Sequence, residues 1–266
     1  MLTYNFKNKT VLITAGSKGI GFDLAYHFCK YGAKVAICSR NMKNLNNAKN
    51  YILSRNKNAK IMTIKHNLEN LKKVNSVIKK IENEFSSSVD ILVNNAGGPP
   101  VKKILNITDQ DWNKALNNNL KSAIIFSQQV LKKMLKKKWG RIINLTSTTA
   151  KEPAENFALS NVTRSALASF SKTLSLEVAK YGITVNTILT GGCKTDRLES
   201  LIKKNSKINK TKYTEQLKKL SAIVPVGHLA TTEEFIQLIL FLSTTNSSYI
   251  NGSAIPVDGG VSRSIF

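Results

Sequence analysis

Short apolar runs rich in Val, Ile and Leu recur along the chain. Between them lie longer stretches in which apolar residues return every three or four positions. Seven runs read as strands: TVLITA (10–15), KVAICS (34–39), KIMTIKH (60–66), DILVNNA (90–96), RIINLTS (141–147), ITVNTIL (183–189) and SAIPVDG (253–259). Amphipathic helical stretches fall around 20–31, 69–85, 111–138, 155–181 and 231–243. This alternation predicts an α/β fold, a doubly wound parallel sheet of about seven strands with helices on both faces. Ligands of such sheets bind beyond the carboxyl ends of the strands. No internal repeat is present, and residues 1–266 read as a single domain. One stretch breaks the rhythm. From Thr190 to Ala230 a lysine-rich insertion separates the last two strands, and LESLIKKNSKINKTKYTEQLKKL predicts two helical pieces about a polar hinge. A connection of this length reads as a lid over the cleft.

Composition narrows the class. Hydrophobic residues make up 42% of the chain, and no apolar run approaches the roughly 18 residues that cross a bilayer. The N-terminus, MLTYNFKNKTVLITAG, lacks the apolar core and cleavage site of a signal peptide and reads as structural. Cys29, Cys38 and Cys193 are odd in number and show no CxxC spacing. They read as reduced thiols of a cytoplasmic protein, not as a disulfide framework or zinc site. His27, His66 and His228 are far apart and read as surface or packing residues, leaving no metal site. Net charge is +24, from 40 Lys+Arg against 16 Asp+Glu. A field of that sign attracts phosphorylated cofactors, acidic proteins or nucleic acid. The lysines are interleaved with asparagines, as in KNLNNAKNYILSRNKNAK, so AT-rich codon usage accounts for the charge equally well. A nucleic-acid partner has neither a motif nor aromatic interleaving behind it.

The chemistry begins at TAGSKGIG, Thr14 to Gly21, between the first strand and its helix. Glycines there let a phosphate approach the backbone, and the helix N-terminus supplies free N–H groups and a positive dipole end. The second strand ends CSRN, with Ser39 and Arg40 and no carboxylate for ribose hydroxyls. Arg40 and Lys18 suit a 2′-phosphate, which favours NADP(H) over NAD(H).

TAGSKGIG, NNAG (Asn94–Gly97), NNNL (Asn117–Leu120), NLTS (Asn144–Ser147), ITVNTIL and VDGG (Val257–Gly260) together resemble the short-chain dehydrogenase/reductase superfamily, whose fold is Rossmann-type. The chain is most similar to the 3-oxoacyl-(acyl carrier protein) reductase-like members, in a divergent branch with SNxxR in place of YxxxK. The resemblance implies cofactor contacts from Gly16, Ser17, Lys18, Gly19, Ile20 and Gly21 in the turn, and from Ser39 and Arg40. It adds Asn67 and Leu68 after the third strand, Asn95, Ala96 and Gly97 after the fourth, and Arg164 and Thr195. Three positions depart from the pattern. Ala15 holds the first glycine position, tolerable where φ is negative; Asn67 replaces an Asp; Thr190 replaces a Pro.

The resemblance also implies four catalytic positions. Asn119 matches the relay Asn and Ser147 the substrate-orienting Ser, while Ser160 stands for the proton-donating Tyr and Arg164 for the Lys. A serine hydroxyl is shorter and far less acidic than a phenol of pKa about 10. Losing a positioned general acid costs about 10²–10⁴ in rate. Arg164 stays protonated and cannot shuttle a proton, but it can hold ribose hydroxyls and face a developing alkoxide. Other donors near this end are Lys151, Glu152, Glu155, Tyr213, or a water or substrate group held by Asn119 and Ser147. The basic run LKKMLKKKWGR (Leu131–Arg141) either complements a helix C-terminus or docks an acidic carrier protein. In similar proteins the helices near 111–138 and 155–181 pair between subunits, which implies a homotetramer or homodimer. Two readings remain. One is an NADP(H)-dependent reductase of a small-molecule or acyl-carrier-bound carbonyl, with an atypical proton donor. The other is a non-catalytic NADP(H)-binding protein acting as sensor or partner subunit.

Overall fold

The structure is a computed structural model that describes residues 4–265, so the first three residues of the N-terminal stretch and the last residue of the chain lie outside the description. The elements run β1 (Thr10–Thr14), α1 (Gly19–Lys30), β2 (Lys34–Ser39), α2 (Met42–Arg55), β3 (Lys60–Lys65), α3 (Val74–Phe85) and β4 (Ile91–Asn94). Next come α4 (Asp109–Ala115), a π-helical segment (Leu116–Lys121), α5 (Ser122–Lys137), β5 (Gly140–Leu145), α6 (Ala158–Val178) and β6 (Ile183–Thr190). The chain then forms α7 (Asp196–Ile208), α8 (Tyr213–Ile223), α9 (Glu233–Leu242) and β7 (Ala254–Val257). The seven strands form one sheet in the order β3-β2-β1-β4-β5-β6-β7, and every pairing is parallel.

Alternation along the strands sorts the core into two layers. Val11 and Ile13 of β1 face the layer containing Leu24 and Phe28 of α1 and Phe235 and Ile239 of α9. Leu12 between them faces the layer of Val77 and Ile81 from α3, Phe126 and Val130 from α5, and Leu174 from α6. Period-two alternation against helices on both sides is what a doubly wound sheet requires. Among the described residues no helix is long and apolar enough to cross a membrane. All three cysteines are free and buried.

Three local expectations change. The stretch 111–138 is not one helix, because the π-helical turn between α4 and α5 carries Asn119. A π turn widens the helix by one residue and is frequent at functional sites. The helix α2 arises in the Lys/Asn-rich stretch noted only for its composition. Its buried stripe is Leu45, Ala48 and Ile52, and Asn41 caps it by accepting the Asn44 N–H at 3.0 Å. The first strand stops at Thr14 because Ala15 turns to φ +47°, in the left-handed region, and not to the negative φ an alanine prefers. The segment between β6 and α9 does form two helices, α7 and α8. Its ends are tied at the base, where Lys194 N–H donates to Ala230 O at 2.8 Å and Ala230 N–H to Gly192 O at 2.9 Å.

Under the carboxyl ends of the central strands lies a buried amide chain. The Asn94 Nδ2 donates to Asn144 Oδ1 at 2.7 Å, joining β4 to β5, and to Ser127 Oγ of α5 at 3.0 Å. The Asn144 Nδ2 in turn donates to Ser171 Oγ of α6 at 2.7 Å. Replacing Asn144 with Ala removes two buried hydrogen bonds, the one it accepts from Asn94 Nδ2 and the one it donates to Ser171 Oγ, each worth about 0.5–1.5 kcal/mol, while Asn94 Nδ2 keeps Ser127 Oγ and Ser171 Oγ keeps Leu167 O. Asn144→Ala is expected to lower the thermal midpoint by several degrees, measured by calorimetry, whereas Asn58→Ala on the exposed surface should leave it unchanged. Left-handed backbone costs an L-residue about 1–2 kcal/mol. Ala15→Gly is therefore expected to raise the midpoint by a few degrees and Ala15→Val to lower it.

Candidate active site

The sheet order reverses between β1 and β4, and the crevice at that switch point opens into a cleft of about 860 Å³. Its two banks are stitched together by side chains. Thr14 Oγ1 donates to Asn95 O at 2.7 Å and accepts from Asn95 N at 2.9 Å, while Asn95 Nδ2 donates to Ala15 O at 3.3 Å. The turn after β1 and the loop after β4 are thus held at a fixed separation.

Within the turn the glycines divide by role. Gly16 and Gly21 do not line the cleft. A Cβ on Gly16 would meet Ile37 Cγ2 at 2.7 Å, and one on Gly21 would meet Asn95 Nδ2 at 2.6 Å. They serve close packing of the turn and helix. Gly19 lines the cleft at φ +53°, and Gly97 opposite has nothing within 4 Å of a built Cβ. Lys18 gives α1 no side-chain cap, so the first-turn N–H groups are available to an anion. Ser17, Ile20, Ser39, Arg40, Leu68, Asn95, Ala96 and Thr195 line the same cleft. Ser17 Oγ donates to Ser39 Oγ at 2.9 Å. Lys18 forms an exposed ion pair with Asp196 at 2.8 Å, of the sort worth little in water. Asn67 does not line the cleft; its Oδ1 accepts the Glu69 N–H at 3.2 Å. Its neighbour His66 lines the cleft instead, buried, with Nε2 unpartnered among the described residues and burial holding its pKa below the ordinary value.

The four expected catalytic side chains converge on the other end of this cleft. Ser147 follows β5, and its Oγ accepts the Thr149 N–H at 3.3 Å. Asn119 hangs from the π turn. Its Nδ2 donates to Gly97 O at 2.9 Å, and its Oδ1 is buried with no partner among the described residues. Ser160 and Arg164 lie one turn apart on α6, as i, i+4 neighbours do, and Arg164 Nε donates to Ser160 Oγ at 3.1 Å. Thr149 Oγ1 lies 3.3 Å from Ser160 Oγ, adding a third hydroxyl that sequence reasoning missed. Burial, reinforced by the neighbouring Arg197, pulls the Arg164 pKa down to about 10, so it keeps its charge at neutral pH. Arg197 is the other residue missed. It stands two positions beyond Thr195, donates to Gly98 O, and donates to Pro99 O at 2.8 Å.

The alternative proton donors are not in the cleft. Lys151, Glu155 and Tyr213 do not line it, and Glu152 accepts from Arg263 N and Ser264 N at 2.7 Å, fastening the C-terminal segment. Thr190, at the usual proline position, is fixed by its Oγ1 donating to Thr146 O at 2.8 Å. Of the basic run, Arg141 is buried under Thr244 O and Gly182 O, and Lys137 pairs with Asp90 at 2.7 Å. Neither is a free docking cation.

The family profile described as short chain dehydrogenase matches residues 9–206. The 3-oxoacyl-[acyl-carrier-protein] reductase FabG of Escherichia coli is 32% identical over 257 residues, covering 97% of this chain and 98% of that protein. The same-named protein of Rickettsia typhi is 34% identical over 260 residues, with coverage of 97% and 98%. Among solved structures, L-sorbose reductase from Gluconobacter frateurii complexed with NADPH and L-sorbose superposes with a TM-score of 0.93. It is 28% identical, covering 99% of this chain and 100% of that one. Sheet order, glycine turn, the Asn-rich loop after β4 and these matches agree: the chain belongs to the short-chain dehydrogenase/reductase superfamily.

Proposed function

We propose that this protein is an NADP(H)-dependent reductase of a carbonyl compound of the 3-oxoacyl type or similar, working without a tyrosine acid. What carries the reading is the convergence of Ser147, Ser160, Arg164 and Asn119 on one cleft, with Arg164 Nε bonded to Ser160 Oγ at 3.1 Å. Relatives named as 3-oxoacyl reductases and structural neighbours complexed with NADPH support it. The uncapped α1 N-terminus, the open face of Gly97 and the orphaned Asn119 Oδ1 suit a dinucleotide lying across the switch point. Arg40, beyond β2, would hold the 2′-phosphate, and the first turn of α1 would hold the pyrophosphate.

When bound, NADPH supplies the hydride that reduces the carbonyl carbon. Ser147 and Ser160 donate hydrogen bonds to the carbonyl oxygen. Arg164 places a fixed positive charge beside that oxygen as it becomes an alkoxide, which a low-dielectric cleft makes worth more than in water. The proton reaches the oxygen from Ser160 and is replaced through Thr149, the half-buried hydroxyl 3.3 Å behind it, which regains one from solvent. Asn119 holds the loop after β4 through Gly97 O. The lost phenol is thus replaced by electrostatic stabilisation with a weak hydroxyl relay.

A second reading, a non-catalytic NADP(H) binder acting as sensor or partner subunit, is favoured by the cleft lining, which among the described residues contains no tyrosine. Stereospecific transfer of deuterium from 4-deuterated NADPH to a carbonyl substrate separates the two; persistent lack of transfer with cofactor bound favours the binder. The double variant Ser160→Tyr/Arg164→Lys is expected to gain about 10²-fold or more in kcat, read by NADPH oxidation. For the cofactor, Arg40→Ala should weaken NADPH by about tenfold and leave NADH unchanged, followed by nicotinamide fluorescence. Equal loss for both cofactors would remove Arg40 from the 2′-phosphate.

A further inference from the structure

Two guanidinium groups reach the catalytic end of the cleft from different elements, Arg164 from α6 and Arg197 from the first turn of α7. They are close enough that Arg197 contributes to lowering the Arg164 pKa. Among the described residues, neither forms a salt bridge. The cleft's carboxylates are Glu69 and Asp196, and Asp196 is taken by Lys18 at 2.8 Å. Like charges brought together under partial burial are unfavourable unless an anion joins them.

The arrangement is built rather than incidental. Arg197 lies flat against the loop after β4, donating to Gly98 O and Pro99 O. The absence of a side chain at Gly98 lets the guanidinium lie this close, since a Cβ there would meet Arg197 Nη2 at 2.5 Å and push the arginine aside. Two of its five N–H donors are used this way, which fixes the plane and leaves the remainder for a ligand. Arg164 is oriented by Ser160 Oγ, and its Nη2 makes no hydrogen bond among the described residues. A rigid pair of planar forks recognises carboxylates and phosphates and has little use for a neutral thioester.

We infer that the carbonyl substrate carries an anionic oxygen group, a carboxylate or phosphate ester, seated against Arg197 with Arg164 behind it. This rests on the reductase reading and narrows it to a free acid or phosphorylated carbonyl compound, as opposed to a carrier-bound thioester.

The test uses four probes: acetoacetate against the neutral acetoacetyl N-acetylcysteamine thioester, and dihydroxyacetone phosphate against dihydroxyacetone. Each is titrated calorimetrically into the protein with and without saturating NADPH. The charged member of at least one pair is expected to bind about tenfold or more tightly than its neutral counterpart, and the better pair tells carboxylate from phosphate. Arg197→Gln should abolish that preference, Arg197→Lys should restore part of it, and NADPH affinity should stay within about twofold in both. Equal binding of charged and neutral probes overturns the inference, as does failure of both charged probes to bind. So does an Arg197→Gln variant, folded as judged by its thermal midpoint, that loses NADPH affinity and keeps the anion preference. If NADPH fails to bind wild-type protein, the reductase reading falls, and the probe titrations without cofactor still decide the anion site.

Discussion

The site depends on a single hydrogen bond between two buried amides, Asn94 Nδ2 to Asn144 Oδ1, at the carboxyl ends of β4 and β5. A parallel sheet pairs its strands through the backbone alone until they end, and there the chains diverge into loops. This amide bond carries the pairing one step further in side chains. It also draws in α5 through Ser127 and α6 through Ser171. The helix that bears Ser160 and Arg164 is thereby fixed to the strand that delivers Ser147. Thr14 and Asn95 repeat the device across the switch point, between β1 and β4. The paired amide nitrogens favour one arrangement, because a shift would cost their bonds in a low dielectric, although Asn94 Oδ1 itself has no partner among the described residues.

Three backbone irregularities lie on the same edge. The Ala15 turn, the left-handed Gly19 and the π turn holding Asn119 all border the cleft. Two of them are held by tertiary contacts: Ala15 O by Asn95, Asn119 by Gly97 O. Strain of this kind persists where surrounding structure over-determines it.

The fold was legible because alternation of short apolar runs and helical stripes is dictated by burial on both faces of a sheet, and all seven strands follow it. The helix α2 was less so, since three apolar residues on one face are a thin signal among lysines and asparagines. In the cleft, the glycine turn and the residues after β4 were readable from sequence spacing. Asn67 was misleading, because a side chain that can bond its own backbone does so, accepting from Glu69 two residues on. Thr149 and Arg197 were not readable at all. A threonine in a short turn and an arginine among 40 basic residues carry no pattern, and their meaning comes only from which groups the fold sets beside them.

In the proposed reductase, Ser160 and Arg164 act as one unit at the positions where the resemblance implies a tyrosine and a lysine. A phenol of pKa about 10 can be tuned by a nearby cation, whereas a serine hydroxyl is far less acidic and gains little from one. Arg164 Nε donates to Ser160 Oγ at 3.1 Å, so the guanidinium lies directly against the serine one turn before it. The charge that tuned an acid then stands beside the oxygen itself. A lysine there would present a point charge on a flexible stem, whereas the arginine presents a fixed plane, held by Ser160 on one side. Such a plane stabilises an alkoxide without giving up a proton. With Arg197 beside it, that plane forms a cationic wall that a neutral substrate would leave uncompensated, which is the physical link between the proposed weak acid catalysis and the inferred selectivity for anions.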